Sequence, residues 1–256
     1  MKQKRVSGLD FFRLRRESRE ILAQNGNRLT LISAILIAAC PLPLYLSVDS
    51  VFRLAILPRL GQSALLGVLL EALAILTLTV LITLPLWTGL LRLAAQMEEG
   101  KIPPLTEMFH AFSGREAYGE AFQLSASVTL QLAVLAALEW GATLAVDLLF
   151  WNPLFKALIG VALYAGVFVL WFSVAARGFL KPYLLKQPFE STDRMQPYAA
   201  SVGKRYWLGY FPRLTLSLLT FGILLLADTL PEMLISYFRL CKKLNEFTTQ
   251  SEELIK

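Results

Sequence analysis

Long uncharged apolar runs alternate with short polar segments along the chain. A helix needs about 20 apolar residues to cross roughly 30 Å of hydrocarbon. Five runs approach or exceed that length: residues 29–48, 63–91, 121–146, 157–176 and 214–230. None alternates strictly between polar and apolar positions as barrel strands do, and an open sheet leaves its backbone unsatisfied in lipid. The pattern therefore predicts an all-α, polytopic membrane protein with about five transmembrane helices.

Short amphipathic segments precede three of these runs. Apolar residues recur at helical spacing in each, which predicts three interfacial helices on the cytoplasmic surface. Their stripes are Phe11, Leu14, Ser18, Ile21 and Leu22; Leu105, Met108, Phe109 and Phe112; and Met195, Tyr198, Val202 and Tyr206. Turn residues are expected to separate each helix from the following span, at Asn25–Asn27, Ser113–Gly114, and Gly209 with Pro212.

The C-terminal segment after residue 230 is too short to cross. Its polar and apolar positions predict an interfacial or re-entrant amphipathic helix, with Leu234, Phe238 and Cys241 on one face and Glu232, Ser236, Arg239 and Lys243 elsewhere. We therefore expect a single integral-membrane domain over residues 1–256. It would comprise a cytoplasmic amphipathic segment (1–28), a membrane core (29–230) and an amphipathic, polar tail (231–256).

The stretch NRLTLISAIL at residues 27–36 has an echo in PRLTLSLLTF at residues 212–221. We interpret the pair as a weak internal repeat, in which a flat surface helix leads through a turn into a span. Arg28 and Arg213 would then occupy equivalent places at the cytoplasmic headgroup level, where a long arginine stem can lie along lipid.

Composition and charge agree with a membrane location, since 55% of the residues are hydrophobic and only 17% are charged. With the N-terminus inside, the cytoplasmic segments hold 18 of the 25 lysines and arginines, against 3 in the two external loops. The basic C-terminal tail then lies on the external side, whereas basic residues favour the cytoplasmic side of a membrane. No cleavable signal peptide of normal shape is evident; LIAAC at residues 36–40 resembles a lipobox, or is a small-residue packing patch.

The chain contains few residues that could carry chemistry. His110 is the single histidine, the two cysteines are far apart, and the common phosphate, dinucleotide and hydrolase motifs are absent. We therefore expect no enzyme activity, catalytic residue, metal site or cofactor. Glu71 and Glu139 are charges inside predicted spans, which mark either a polar transport site or a local ion pair. Pro85 with Gly89 predicts a kink, either a hinge or a static bend.

Three segments resemble an uncharacterised bacterial integral-membrane family, domain of unknown function 975: REILAQNGNRLTLI, LPLWTGLLRLAAQMEEGKIPPLTEMFHAF and YAASVGKRYWLGYFPRLTLSLLTFGILLL. The resemblance covers nearly the whole chain through loose motifs, including Pro85-x-x-x-Gly89, Glu99-Gly100, Phe109-x-x-Phe112, and Ser201 with Gly203 and Lys204. It implies a multi-pass protein of a bacterial plasma membrane with about six spans, and no established activity.

The absence of a catalytic set favours a non-enzymatic membrane partner, assembly component or envelope-homeostasis component. Its basic cytoplasmic face would bind anionic lipid headgroups, and a membrane-protein partner is possible on the same face. The basic residues are dispersed over three loops, so nucleic acid is not expected. The alternative is a small transporter or channel component that uses Glu139, with the helix kinked at Pro85 as its moving part.

Overall fold

The computed structural model describes residues 11–24, 26–56, 64–123, 134, 153–178, 180, 183, 189–220 and 222–253, and these ranges contain no β-strand. We number the α-helices α1 (Phe11–Ala23), α2 (Asn27–Ala39), α3 (Pro41–Val51), α4 (Ala64–Leu78), α5 (Leu84–Glu98), α6 (Pro153–Arg177), α7 (Phe189–Leu219) and α8 (Leu230–Glu253). Shorter helical elements are the π-helical turns Phe52–Ile56, Thr79–Thr83 and Leu225–Thr229, the 3₁₀-helix Leu105–Phe112, and residues 115–123. The predicted all-α class is confirmed.

Three helical segments in this part of the chain are long and apolar enough to cross a membrane. They are Asn27–Ile56, Leu70–Glu98 and Phe155–Val174, and they overlap the first, second and fourth predicted spans. Many of their large apolar side chains are exposed, for example Leu54, Leu73 and Val161, so these helices present hydrocarbon-compatible surfaces. The third predicted span, 121–146, lies almost wholly outside the described residues.

The fifth predicted span, 214–230, does not form one continuous helix. Helix α7 ends at Leu219, and Gly222 adopts a φ of 77°. That left-handed conformation costs glycine little and ends a right-handed helix. The Gly222 N–H donates to the Ser217 carbonyl at 3.0 Å, which closes the turn before the helical course resumes.

The turn predicted at Gly209 and Pro212 is also absent. Helix α7 runs through both positions and carries Pro197 and Pro212 in its interior. A proline removes a single backbone donor, and a helix can continue past it when packing holds the flanking turns. The side chain of Phe11 packs over Gly209, 3.7 Å from where a Cβ would be. Gly209 is therefore a packing position, and Arg213 lies inside a helix rather than at a junction.

The chain divides into two compact units. One comprises Arg13–Gln123 and Leu216–Arg239. Within it, α5 is the central helix, because nearly every side chain from Pro85 to Glu98 is buried. The 3₁₀-helix Leu105–Phe112 and helix α2 pack against α5, and α3 packs against α4. These contacts form a helical core from two of the segments that are long enough to span a membrane, together with the 3₁₀-helix Leu105–Phe112.

The other unit comprises Met1–Phe12, Leu124–Thr215 and Leu240–Lys256. Its described core includes one face of α7, where buried side chains recur every three or four residues: Met195, Ala199, Val202, Tyr206 and Tyr210. This confirms the third predicted stripe, except that Tyr198 is half-buried. The Tyr198 ring packs edge-to-face on Phe247 of α8, with ring centroids 6.5 Å apart.

The first predicted amphipathic segment forms an α-helix, and the second has a different period. In α1, Leu14, Ser18 and Leu22 are buried, as predicted, and Gly26 forms the turn before α2. The segment at 105–112 is a 3₁₀-helix with three residues per turn. Its buried residues are therefore Met108 and Ala111, three apart, whereas Phe109 and Phe112 of the predicted stripe are exposed.

The C-terminal segment is a 24-residue helix, α8, and part of its polar side is buried. Phe238 and Cys241 are buried as predicted, but Leu234 is half-exposed, and Glu232 and Ser236 are fully buried. The predicted amphipathic face was wrong for Glu232 and Ser236, because both find partners that the sequence of α8 alone does not reveal. The Ser236 hydroxyl donates to the Glu232 carbonyl one turn earlier, at 2.5 Å.

Candidate functional site

A fully buried carboxylate, Glu232, joins the first turn of α8 to α1. Its Oε2 accepts a hydrogen bond from Arg19 Nε at 2.8 Å, and its Oε1 lies 3.3 Å from Arg15 Nε. An unpaired buried carboxylate would be strongly destabilising. The two guanidinium groups compensate the charge of Glu232 and so allow its burial. Arg15 and Arg19 are four residues apart and therefore project from the same side of α1.

A second carboxylate forms another set of ion pairs between α1 and α8. Glu17 of α1 accepts a hydrogen bond from Arg239 Nε at 2.6 Å and another from Arg13 Nε at 3.0 Å. The cluster thus contains four arginines and two glutamates, and its formal charge is positive. We call these six residues, Arg13, Arg15, Glu17, Arg19, Glu232 and Arg239, the arginine–glutamate cluster.

The outer side of α1 is basic and largely exposed. The side chains of Arg13 and Arg16 are 76% and 83% exposed, and that of Arg19 is 51% exposed. Arg13 pairs with Glu17 at 3.0 Å and Arg16 with Glu20 at 3.3 Å, both one turn along the same helix. Phe12, next to them in sequence, is 82% exposed. An exposed aromatic ring among exposed arginines is typical of a helix that lies at a membrane surface.

The predicted irregularity at Pro85 is a π-helical turn at Thr79–Thr83, directly before the first turn of α5. The Leu84 N–H donates to the Thr79 carbonyl, five residues back. With the same spacing of five residues, the Val80 carbonyl would accept a hydrogen bond from the backbone N–H of residue 85. Pro85 has no N–H to donate. The Tyr118 hydroxyl donates to the Val80 carbonyl instead, at 2.8 Å. A side chain from another helix thus satisfies the acceptor that Pro85 leaves open.

A chain of hydroxyl groups braces the same turn. Tyr45 Oη lies 2.7 Å from both Thr79 Oγ1 and Thr83 Oγ1. Thr79 donates its proton to the Ile75 carbonyl at 2.8 Å, so Tyr45 must donate to Thr79 and accept from Thr83. The chain ends at a backbone carbonyl. It therefore holds α3 to the π-helical turn.

The sequence Thr-Leu-Pro at residues 83–85, where the π-helical turn meets α5, occurs again at residues 229–231. The local structure is the same. A π-helical turn, Leu225–Thr229, again leads into the first turn of a long helix, α8. The Thr229 hydroxyl pairs with Ser217 at 2.9 Å. Arg28 Nε donates to the Ala227 carbonyl at 3.0 Å and another of its guanidinium nitrogens pairs with Asp228 at 2.9 Å. The recurrence was not predicted from the sequence, although the repeated tripeptide marks it.

Gly89 does not have the loose surroundings expected of a hinge. A Cβ built on it would lie 2.6 Å from the carbonyl carbon of Met108 and would overlap the carbonyl oxygen. The 3₁₀-helix Leu105–Phe112 therefore approaches α5 closely at Gly89. Arg92 and Gln96, further along α5, reach Glu107 at 3.7 and 3.5 Å. Gly89 is thus a packing position, and the choice between a hinge and a static bend at Pro85 and Gly89 stays a prediction.

The other predicted site residues are not brought together. Glu71 is half-exposed on α4, and Glu139 lies outside the described residues. Arg28 is at the start of α2, where its partners are on the chain around Asp228, and Arg213 is inside α7. His110 is half-buried in the 3₁₀-helix.

No group of three or more His, Cys, Asp or Glu side chains that could hold a metal ion occurs in the described ranges. The resemblance to domain of unknown function 975 stays a prediction. Comparison with protein-family models, curated proteins and solved structures finds no match to this chain.

Proposed function

We propose that the protein is a non-enzymatic, multi-pass component of a bacterial plasma membrane, with its N-terminus in the cytoplasm. In this proposal it acts as a membrane partner, assembly component or envelope-homeostasis component, and its basic cytoplasmic face engages anionic lipid headgroups. The observation that carries the proposal is the exposed arginine face of α1. Only Gln24–Gly26 separate α1 from the apolar segment Asn27–Ile56. A helix tied so closely to a span has to lie near the bilayer surface.

The arginine–glutamate cluster supports this role because it orients α1. Glu232 holds Arg15 and Arg19 from the inner side, so α1 cannot rotate to bury its exposed arginines. Arg13 and Arg16 then present their guanidinium groups to the same environment as Phe12. Each basic residue near an anionic surface contributes about 1 kcal/mol of attraction. A fixed basic face would also give a partner protein a constant surface to recognise beside the lipid.

The transport alternative receives no structural support. Glu139 lies outside the described residues, and the Pro85 turn is braced by Tyr45 and Tyr118 rather than open to movement. Transport through these residues stays a prediction of the sequence.

The lipid proposal can be tested with the full-length protein in detergent, titrated with short-chain phosphatidylglycerol or phosphatidylcholine. We expect preferential binding of phosphatidylglycerol and about 30-fold weaker binding for the double variant Arg13→Gln/Arg16→Gln, because two contacts contribute about 2 kcal/mol. The matched control is Lys242→Gln/Lys243→Gln, which removes the same charge from α8. Equal binding of the two lipids by the wild-type protein, or equal loss in both variants, would contradict the proposal.

A further inference from the structure

The 3₁₀-helix Leu105–Phe112 has three faces, because residues three apart lie one above another in such a helix. One face packs on the core, one is polar and the third is exposed. Their members are, in that order, Leu105, Met108 and Ala111; Glu107 and His110; and Thr106, Phe109 and Phe112. Phe109 and Phe112 are each 47% exposed. Two aromatic rings therefore project from the same side of this helix, away from the core.

The 3₁₀-helix follows a segment that is long enough to cross a membrane. Leu70–Glu98 contains 29 residues, or about 43 Å of helix, whereas the hydrocarbon of a bilayer is roughly 30 Å thick. The uncharged run within this segment ends at residue 91, directly before Arg92. A charged side chain is costly in hydrocarbon. The edge of the hydrocarbon therefore lies near Arg92 wherever this segment spans a bilayer.

The contact at Gly89 fixes the depth of the 3₁₀-helix. The Met108 carbonyl carbon lies 2.6 Å from where a Cβ of Gly89 would be. Gly89 is three residues before Arg92, about 4.5 Å along a helix, so the 3₁₀-helix lies where hydrocarbon gives way to headgroups. Trp87, two residues before Gly89, is 47% exposed. An exposed tryptophan at this level is typical of the aromatic belt of a membrane protein, which Phe109 and Phe112 would extend.

An arginine follows the two rings. Arg115 is exposed, and it has no hydrogen-bond or ion-pair partner among the residues that the structure describes. A long arginine side chain can lie along apolar groups while its guanidinium reaches the lipid phosphates. Aromatic rings followed by an unpaired cation match the chemistry of a phospholipid interface, which is apolar below and anionic at the phosphates.

The size of the exposed face favours lipid over a protein partner. A phenylalanine side chain has about 200 Å² of surface, so two half-exposed rings offer roughly 200 Å² together. A stable protein interface buries about 800 Å² on each partner. The rings of Phe109 and Phe112 are therefore too small a surface to hold a protein, whereas single aromatic rings suffice at a bilayer interface.

We propose that Phe109 and Phe112 anchor the 3₁₀-helix in the boundary between headgroups and acyl chains of the leaflet at the end of α5, with Arg115 beside the lipid phosphates. Because Gly89 holds the 3₁₀-helix against α5, this anchor also sets the depth of α5 in the bilayer. The inference rests on the multi-pass part of the proposed function. It does not depend on the anionic-lipid contact of α1, since the rings bind by their apolar surface.

The test measures the depth of single spin labels in the full-length protein, in a Cys40→Ser/Cys241→Ala background reconstituted in phosphatidylcholine vesicles. Depth is obtained from collision rates of each label with oxygen and with a water-soluble nickel complex. Labels at Phe109→Cys and Phe112→Cys should lie about 5–10 Å below the headgroup surface. Glu116→Cys is the control for water, because Glu116 is exposed and charged. Leu73→Cys is the control for hydrocarbon, because Leu73 is 58% exposed on a spanning segment.

A second pair of variants tests whether the rings cause the insertion. With the label at residue 109, Phe112→Ser should move the label towards water by several ångströms. Thr106→Ser is the matched control, because Thr106 is exposed on the same face and carries no ring. It should leave the depth unchanged. An equal depth in both variants, with circular dichroism like that of the parent, would show that Phe112 is not an anchor.

The reference label separates this inference from the proposed function. If labels at residues 109 and 112 are as accessible to nickel as the label at 116, while the label at 73 is in hydrocarbon, the anchor is refuted and the multi-pass proposal stands. A label at 73 in water would refute both. Labels at 109 and 112 that are immobile and shielded from both reagents would reveal a protein contact and refute the anchor. Phosphatidylcholine has no net charge, so these results are independent of the phosphatidylglycerol titration.

Discussion

Replacing Gly89 with alanine tests whether this glycine serves packing or movement. The new Cβ would lie 2.6 Å from the Met108 carbonyl carbon and 2.8 Å from its Cα. Both are backbone atoms, so no side-chain rotation can relieve the overlap, and the 3₁₀-helix Leu105–Phe112 must move away from α5. Such a movement uncovers Met108 and Ala111, which are 0% and 4% exposed.

The magnitude follows from two opposing effects. Alanine is favoured over glycine in a helix by about 1 kcal/mol. Uncovering a buried methionine side chain costs about 1.5–3 kcal/mol, and overpacking a core costs about 1–3 kcal/mol. We therefore expect Gly89→Ala to lower the free energy of unfolding by about 1.5–5 kcal/mol. If Gly89 were a flexible hinge, alanine would stiffen the helix and the sign would be reversed.

The measurement is reversible unfolding in mixed micelles, followed by far-ultraviolet circular dichroism, with Gly160→Ala as the matched control. Gly160 is also helical, and no heavy atom lies within 4 Å of where its Cβ would be. The control should therefore be neutral or slightly stabilising. Stability of Gly89→Ala equal to or above that of the wild type would refute the packing argument.

Three further predictions use the same unfolding assay. Glu232→Gln should lower the free energy of unfolding by about 2–4 kcal/mol, which is less than for a fully buried pair because Arg15 and Arg19 are partly solvated. Glu20→Gln, in an exposed pair with Arg16, should lower it by about 0.3–0.5 kcal/mol. Equal effects of the two variants would show that burial of the pair is unimportant. Tyr118→Phe should lower the free energy of unfolding by about 0.5–1.5 kcal/mol, because it removes the hydrogen bond to the Val80 carbonyl. The loss should be much smaller in a Pro85→Ala background, where the backbone N–H of residue 85 is restored. An equal loss in both backgrounds would show that the Tyr118 hydroxyl does not replace that N–H. Gly222→Ala should cost about 1–2 kcal/mol from its φ of 77°, and a neutral result would show that the turn can be rebuilt.

The fold could be predicted from the sequence where hydrophobicity or its periodicity along a short segment is enough to determine the structure. Long uncharged runs predicted the segments Asn27–Ile56, Leu70–Glu98 and Phe155–Val174 to within several residues at most ends. The stripe on α1 was predicted because its buried positions follow a regular helical period. The stripe at residues 105–112 failed, since apolar spacing alone does not distinguish a 3₁₀-helix from an α-helix.

The charged part of the candidate site could not be predicted from local pattern. Glu232 is followed by an apolar helix, and its burial depends on Arg15 and Arg19, which lie more than two hundred residues earlier. Hydrophobic periodicity assigns each charged residue to a solvated face and carries no information about distant partners. The same limit applies to Gly89, because the Pro-x-x-x-Gly spacing gives no indication that this position meets the Met108 backbone.

The ion pair between Arg19 and Glu232 also delays the completion of this unit until α8 has been synthesised. The two residues are 213 positions apart, and the unit that contains them includes Leu216–Arg239 as well as Arg13–Gln123. At about 5–20 residues per second, a ribosome needs roughly 10–40 s to make the intervening chain. During that interval α1 has no carboxylate from α8, and Arg15 and Arg19 can be neutralised only by other anions. Synthesis of the segments from α1 to residue 123 therefore precedes the closure of their core, which waits for α8 to emerge.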